Sequence, residues 1–435
     1  MKIDKSEPFF YIVILSLFIT QIFGNLIFVI NIFTAFYLLL KRKMNLVSFT
    51  IINKLIYPLP IYTYGLIIFN SFRNKNLLFY DNQLLFTLFN CNRNIDFLYF
   101  QKYSLEQIEC KSSIGFGLFE KYISTILDPW YASLTIALLF VIYLYFIISK
   151  IPDNKKFIFI LFFVSPPFLF LFTSLNSDLF MFSHLLFIVV YKKNKLTIFD
   201  YLLITFFSQL KIYFVGLLLG AALYKYLSKN KVEFYKAVYF IVLNASLFIY
   251  DFFTNTRSSY QNEIFGVPFV YAPMNTFGIV ADLKTFFDVQ LSFVENSKFI
   301  IIVFILFFFV FAVFIRNNKN SYILPSNYRE LFMYIFPVCM IINFFGNFGY
   351  KFVFNFLLVY IIFEVLNFRQ NIYIFSIFLV IPIYSALNLV NDHTLFTPST
   401  LNSFVWTYSR IVFYVLNLLF IVVFSNIFKK IYKNS

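Results

Sequence analysis

Charged residues are scarce in this chain of 435 residues, where Asp, Glu, Lys and Arg together make up 13%. Histidine and cysteine are scarcer still, with two and three copies. A soluble domain needs charged and small polar groups on its surface, so this composition excludes a cytosolic enzyme and a disordered tail. Three cysteines without a CxxC or His-rich spacing exclude a disulfide-rich module and indicate no metal site.

Apolar residues take the place of the missing charge. Hydrophobic residues make up 61% of the chain, and 69 of them are Phe. Apolar runs of spanning or near-spanning length recur along the chain at 9–32, 131–149, 157–175, 178–191, 197–210, 212–226, 235–254, 298–315, 331–345, 351–366, 371–390 and 404–428. The sequence therefore predicts an all-α, polytopic membrane protein with about 11 to 14 spans, best represented by 12. The first apolar stretch is too long for a signal peptide.

The basic residues predict the orientation of these spans. Their clusters fall between alternate pairs of spans, at 150–156, 192–195, 225–236, 316–329, 369 and 429–433. Cytoplasmic loops retain Lys and Arg, so the net charge of +15 indicates topology and no nucleic-acid partner. We expect a single domain, 1–435, in the cytoplasmic (inner) membrane with its C-terminus inside. Two large extracytoplasmic loops are predicted, 41–130, which carries interfacial helices, and 254–297.

Polar side chains gather in three turns that this topology places at the outer face. The turns lie within 174–178, 208–214 and 343–352. Their polar residues are Asn176, Asp178, Lys211, Tyr213, Asn347, Tyr350 and Lys351. Helix capping is an alternative role for the first turn, and an interfacial snorkelling lysine is an alternative for the second. Three such turns at one depth favour a site for an anionic headgroup that carries a lipid tail.

The same three segments resemble the polytopic glycosyltransferases of the GT-C class. The likeness is to the bacterial alpha-mannosyltransferase-like membrane proteins that use polyprenyl-phosphate sugars. The Gly-Asn-x-Asp turn of that family reads Leu175-Asn176-Ser177-Asp178 here, without the Gly. Its Lys-x-x-Pro break reads Lys211-Ile212-Tyr213-Phe214, without the Pro, and its late Tyr-Arg turn reads Tyr350-Lys351. The segment from Phe265-Gly266 to Phe277-Gly278 is similar to the Phe-Gly region of the same family.

The resemblance implies that this chain is a hexosyltransferase. In this class an acceptor hydroxyl attacks the sugar of a polyprenyl-phosphate donor, and a carboxylate of the first outer loop is the base. That implies Asp81 or Asp96 as the base, with Asp178 as a further acidic participant. Lys211 and Lys351 would hold the phosphate. The partners would be a lipid-linked donor, a lipid or glycan acceptor and membrane lipids, with a mannose-like sugar, no cofactor and no metal.

Two other functions fit a polytopic chain with outer loops. A lipid-linked saccharide polymerase or ligase of the O-antigen type would carry Arg-rich outer loops, whereas Arg257 is the only Arg between residues 93 and 316. A lipid-glycan flippase or transporter would show mid-membrane charge pairs and two-fold repeats. The polar groups instead cluster at one face, which favours the transferase. His184 lies within an apolar run, and the sequence indicates no partner for it.

Overall fold

The computed structural model describes part of the chain. The described residues are 56–58, 60–61, 64–65, 129–152, 155–156, 159, 162–163, 168, 171–172, 178–192, 196–254, 276–277, 324–345, 347–348, 353–362 and 400–434. The predicted runs at 9–32, 298–315 and 371–390 lie outside them, as do nearly all of the first outer loop and most of the second.

The described part is almost entirely helical, which confirms the predicted helical class. Its α-helices are α1 (Pro129–Lys150), α2 (Asp178–Phe187), α3 (Ile198–Leu210), α4 (Val215–Leu227), α5 (Lys231–Thr254), α6 (Ser326–Phe345), α7 (Val353–Ile362) and α8 (Thr400–Asn434). A π-helical turn, Ile188–Lys192, continues α2, and a 3-10 turn, Ile212–Phe214, precedes α4. One departure from an all-α chain is a two-residue antiparallel pair, β1 (Thr276–Phe277) with β2 (Asn347–Phe348).

Local sequence explains where α3 begins and ends. Thr197 is its N-cap, and the Thr197 hydroxyl and the Asp200 carboxylate form a reciprocal capping box. At the other end Lys211 adopts an extended backbone with φ −146° and ψ 109°, so the helix stops there. The N–H of Lys211 still donates to the carbonyl of Phe207 at 2.9 Å. The chain then turns through Ile212–Phe214 directly into α4.

Contacts among α2, α3, α4, α6 and α7 define two ends of the bundle. At the first end, called the Asp178 end, α2 begins, α3 ends, α6 ends and α7 begins. At the second, called the Lys225 end, α4 ends and α6 begins, and Lys225 pairs with Glu330 at 2.5 Å. The basic clusters that the sequence assigns to the cytoplasm include Lys192 and Lys225, and both lie toward the second end.

The tightest helix packing joins α4 to α6. A Cβ added at Gly216 would lie 2.8 Å from the backbone N of Val338, and one added at Gly220 would lie 2.1 Å from the carbonyl O of Met333. Pro337 lies inside α6 and has no N–H to donate to that carbonyl four residues earlier. The two glycines, four residues apart, therefore let the α4 backbone approach α6 where α6 has lost a hydrogen bond, as in small-xxx-small membrane contacts.

The outer surface of α5 is apolar. Among the described helices one segment, Lys231–Tyr250, is long and apolar enough to cross a membrane. Other apolar helices are shorter, such as Leu134–Lys150 and Val215–Leu227. Large side chains on α5 stand exposed, including Val232 at 73% and Tyr239 at 64%. The number of spans and the membrane orientation stay predictions.

Candidate functional site

A buried carboxylate and a phenol meet at the Asp178 end. Asp178 lies in the first turn of α2, and Tyr213 lies in the 3-10 turn between α3 and α4. The hydroxyl of Tyr213 donates a hydrogen bond to Oδ1 of Asp178. Asp178 is fully buried and Tyr213 is 6% exposed. The bond joins the start of α2 to the turn between α3 and α4.

Lys211 lies two residues before Tyr213, at the break between α3 and α4. Its backbone is held on both sides, because its N–H donates to Phe207 and its carbonyl accepts from the N–H of Phe214 at 3.1 Å. The residue is partly exposed. No hydrogen bond to the Lys211 ammonium is found within the described segments. The break thus presents a cation at the surface next to a buried, hydrogen-bonded carboxylate and phenol.

Helix α7, which follows the third predicted turn in the chain, begins at the same place. The ring of Phe354, in the first turn of α7, packs edge-on against the ring of Tyr213 with centroids 6.0 Å apart. Phe354 also contacts Phe182 of α2 at 6.1 Å. The start of α7 therefore lies beside the Asp178–Tyr213 pair.

The short β pairing connects the segment predicted as the second outer loop to the segment predicted as the third turn. Thr276 pairs with Phe348, and Phe277 pairs with Asn347. Phe277 belongs to the segment 265–278, whose sequence is similar to the Phe-Gly region of GT-C enzymes. Two segments that the sequence treats separately, 265–278 and 343–352, are thus in backbone contact.

Three buried asparagines form a network near the Asp178 end. The Asn343 amide donates to Oδ1 of Asn355 at 2.9 Å and to Oδ1 of Asn417 at 2.8 Å, and the Asn355 amide donates back to Oδ1 of Asn343 at 3.1 Å. Their exposed fractions are 2%, 1% and 3%. The network joins α6, α7 and α8. Sequence reasoning missed it, since amides in apolar runs carry no charge and Asn417 lies 74 residues from Asn343.

The predicted site residues divide into those that the structure describes and those that it does not. Asp178 and Tyr213 are hydrogen-bonded to each other, and Lys211 lies two residues before Tyr213. Asn347 enters through its backbone pairing in β2. The remaining predicted residues lie outside the described residues; they are Asp81, Asp96, Asn176, Tyr350 and Lys351. Their roles stay predictions.

A second polar cluster, at the opposite end of α2 and α3, was also missed. Nζ of Lys192 lies 2.6 and 2.5 Å from the two oxygens of buried Asp200, which also accepts from Thr197. Nε2 of His184 lies 3.8 Å from Oδ1 of Asp200, which is beyond hydrogen-bond distance, so His184 lies near this cluster without a hydrogen bond to Asp200. The spacing of Thr197 and Asp200 is a readable capping signal, but the approach of His184 depends on how α2 packs against α3.

A further buried pair anchors the Lys225 end. Glu330 accepts from Lys225 of α4 and from the hydroxyl of Tyr334 one turn along α6. Like Asp178, Glu330 is a carboxylate that accepts a hydrogen bond from a phenol, and it also forms an ion pair with Lys225. This makes Tyr334 a matched reference for Tyr213.

Neither a search for metal-ligand clusters nor comparison with known proteins adds to the description of the site. In the described ranges no three His, Cys, Asp or Glu side chains lie together as metal ligands. Cys339 is fully buried, and its thiol donates to the carbonyl of Phe354 at 3.4 Å. No protein-family model, curated protein or solved structure shows significant similarity to this chain.

Proposed function

We propose that this chain is a membrane glycosyltransferase of the GT-C type. It moves a hexose, most simply mannose, from a polyprenyl-phosphate donor to a lipid or glycan acceptor at the outer face of the cytoplasmic membrane. The observation that carries the proposal is the contact of two sequence-predicted segments with each other and with the start of α7, which follows the third segment in the chain. Asp178, Tyr213 and the start of α7 are in direct contact, with Lys211 at the break beside them.

The surface of α5 supports a bilayer setting. Only 17% of the span-length segment Lys231–Tyr250 is buried against the rest of the chain. Val242 and Ile249 are 58% and 57% exposed, in line with the exposure of Val232 and Tyr239. A helix with this much exposed apolar surface is unfavourable in water, whereas hydrocarbon accepts it because all of its backbone bonds are internal.

Lys211 is the group best suited to the donor phosphate. A lysine provides a point charge and three donors, and phosphate oxygens accept charge-assisted hydrogen bonds. Lys211 reaches the surface at the break, whereas the lysines at the opposite end, Lys192 and Lys225, already pair with carboxylates. Cationic donors at a leaving phosphate stabilise the charge that develops there.

Asp178 suits a positioning role in this scheme. A general base must come within hydrogen-bond reach of the acceptor hydroxyl, and Asp178 has no exposed surface. Its bond to Tyr213 instead holds the 3-10 turn that follows Lys211. The base then comes from the first outer loop, where Asp81 and Asp96 are the candidates.

Removing the Lys211 charge should weaken donor binding. We expect Lys211→Gln to raise the KM for a polyprenyl-phosphate sugar about ten-fold, since one charge-assisted hydrogen bond contributes about 1.5–3 kcal/mol. Lys211→Arg should recover part of that loss. The assay is transfer of radiolabelled mannose from polyprenyl-phosphate mannose to a lipid acceptor fraction, with the full chain in lipid nanodiscs.

Lys231→Gln provides the control for lost positive charge. Lys231 is exposed at the start of α5, toward the Lys225 end, and should leave the donor KM within two-fold. Equal KM values for the Lys211 and Lys231 variants would contradict the phosphate role. If the wild type transfers no sugar but moves a labelled lipid-linked glycan across the bilayer, the protein is a flippase and not a transferase.

A further inference from the structure

The asparagine network links the helix that carries the site's aromatic contact to its neighbours. Asn355 follows Phe354 in the first turn of α7, and it exchanges two hydrogen bonds with Asn343 near the end of α6. Asn417 of α8 accepts a third bond from Asn343 and donates to the carbonyl of Phe413 in its own helix at 2.8 Å. Every one of these bonds is buried.

The surroundings of the network are apolar, which makes its geometry specific. All ten residues of α7 are buried, and most are aliphatic or aromatic. Apolar contacts have no preferred direction, so they define the rotation and depth of a helix less sharply than hydrogen bonds do. Hydrogen bonds have defined distances and angles, and buried amides have no water to exchange with. The asparagines therefore fix the rotation and depth of α7.

The position of α7 decides where Tyr213 lies. Phe354 is adjacent to Asn355, and its ring contacts both Tyr213 and Phe182. The thiol of Cys339 also donates a hydrogen bond to the carbonyl of Phe354, which is a further contact between α6 and α7. Rotation of α7 would withdraw Phe354 from Tyr213 and release the turn that follows Lys211.

We propose that Asn343, Asn355 and Asn417 are positioning residues, which together form an asparagine clasp. The clasp holds Phe354 against Tyr213 and so keeps Lys211 where the donor phosphate binds. The claim that the clasp positions Phe354 rests on the geometry alone. The effect on sugar transfer rests on the proposed function as well.

The test compares a single leucine variant with the triple leucine variant of the clasp. Asn355→Leu leaves the amide of Asn343 with one partner fewer, so it should lower thermal stability. Replacing Asn343, Asn355 and Asn417 together by leucine removes every polar member, and stability should return to within about 2 °C of the wild-type Tm because the network is gone as a whole. In both variants the position of α7 relative to α6 and α8 should be less well defined.

Position is measured by distances between two spin labels, independently of activity. The labels sit on Lys211→Cys and on Leu418→Cys, the latter on the exposed face of α8. Cys91 and Cys110 are replaced by serine, and buried Cys339 is retained. We expect a narrow distance distribution without further changes and a clearly broader one in the single and triple leucine variants. Tyr334→Phe, at the other end of α6, should leave it narrow.

Transfer kinetics supply the second readout, in protein with Lys211 intact. The triple leucine variant should lose about ten-fold in kcat/KM for the polyprenyl-phosphate sugar despite its restored Tm, because a misplaced binding group is costly. An unchanged distance distribution in the triple variant, or full transfer activity at restored Tm, would overturn the clasp. A broadened distribution in a chain whose wild type transfers no sugar would support the clasp and refute the proposed function.

Discussion

Replacing Tyr213 by phenylalanine should lower kcat/KM for sugar transfer about a hundred-fold. The substitution removes the hydroxyl that donates to buried Asp178, and with it the tie between α2 and the turn after Lys211. Small displacements of a binding group from its productive position can cost about two orders of magnitude. Asp178→Asn keeps an acceptor oxygen for Tyr213 and should lose only about ten-fold. The measurement is steady-state transfer from a polyprenyl-phosphate sugar in nanodiscs.

The two variants and their double distinguish positioning from catalysis. If the pair acts as a unit, Asp178→Asn combined with Tyr213→Phe should lose little more than Tyr213→Phe alone. Tyr334→Phe removes a matched phenol from Glu330 at the Lys225 end and should stay within two-fold of wild type. A thousand-fold loss in Asp178→Asn, together with loss of the acid limb of the pH–rate profile, would instead identify Asp178 as the base.

Replacing Gly220 by alanine should unfold or aggregate much of the protein. The new methyl would lie 2.1 Å from the carbonyl O of Met333, well inside van der Waals contact, and α4 would have to move away from α6. Overpacking of a tight contact costs about 1–3 kcal/mol, and the overlap with rigid backbone places this substitution at or above the upper end. The measurement is the fraction of monodisperse protein that survives heating in detergent.

Gly216 and Gly65 supply graded controls for that prediction. A Cβ at Gly216 would lie 2.8 Å from Val338 N, so Gly216→Ala should destabilise, but less than Gly220→Ala. Gly65 has open space around its Cβ position, and Gly65→Ala should be neutral. Wild-type stability in Gly220→Ala would mean that α4 and α6 do not pack as described.

Sequence patterns located the helices well because charge and polar residues mark their ends. The apolar run 197–210 matches α3, since Lys211 ends both the run and the helix. The run 235–254 starts four residues late, because the first turn of α5 carries Lys231 and Glu233 and does not read as apolar. The same reason explains the late start predicted for α6, whose first turn includes Arg329 and Glu330.

Contacts between helices were only partly predictable. Counting spans placed Asp178 and Tyr213 at one face, but the hydrogen bond between them depends on how α2 and α4 are rotated, which no local pattern records. The four-residue spacing of Gly216 and Gly220 is visible in the sequence. Its partner, the carbonyl that Pro337 frees in α6, follows only from the packing.

The stoichiometry of the reaction distinguishes a transferase from a hydrolase and from a transporter. Purified wild-type protein in nanodiscs would receive polyprenyl-phosphate mannose and a lipid acceptor fraction, and mass spectrometry would quantify both products. A transferase should release one polyprenyl phosphate for each glycosylated acceptor that it forms. Release of polyprenyl phosphate without a glycosylated acceptor, or no turnover of any polyprenyl-phosphate sugar, would contradict the proposed function.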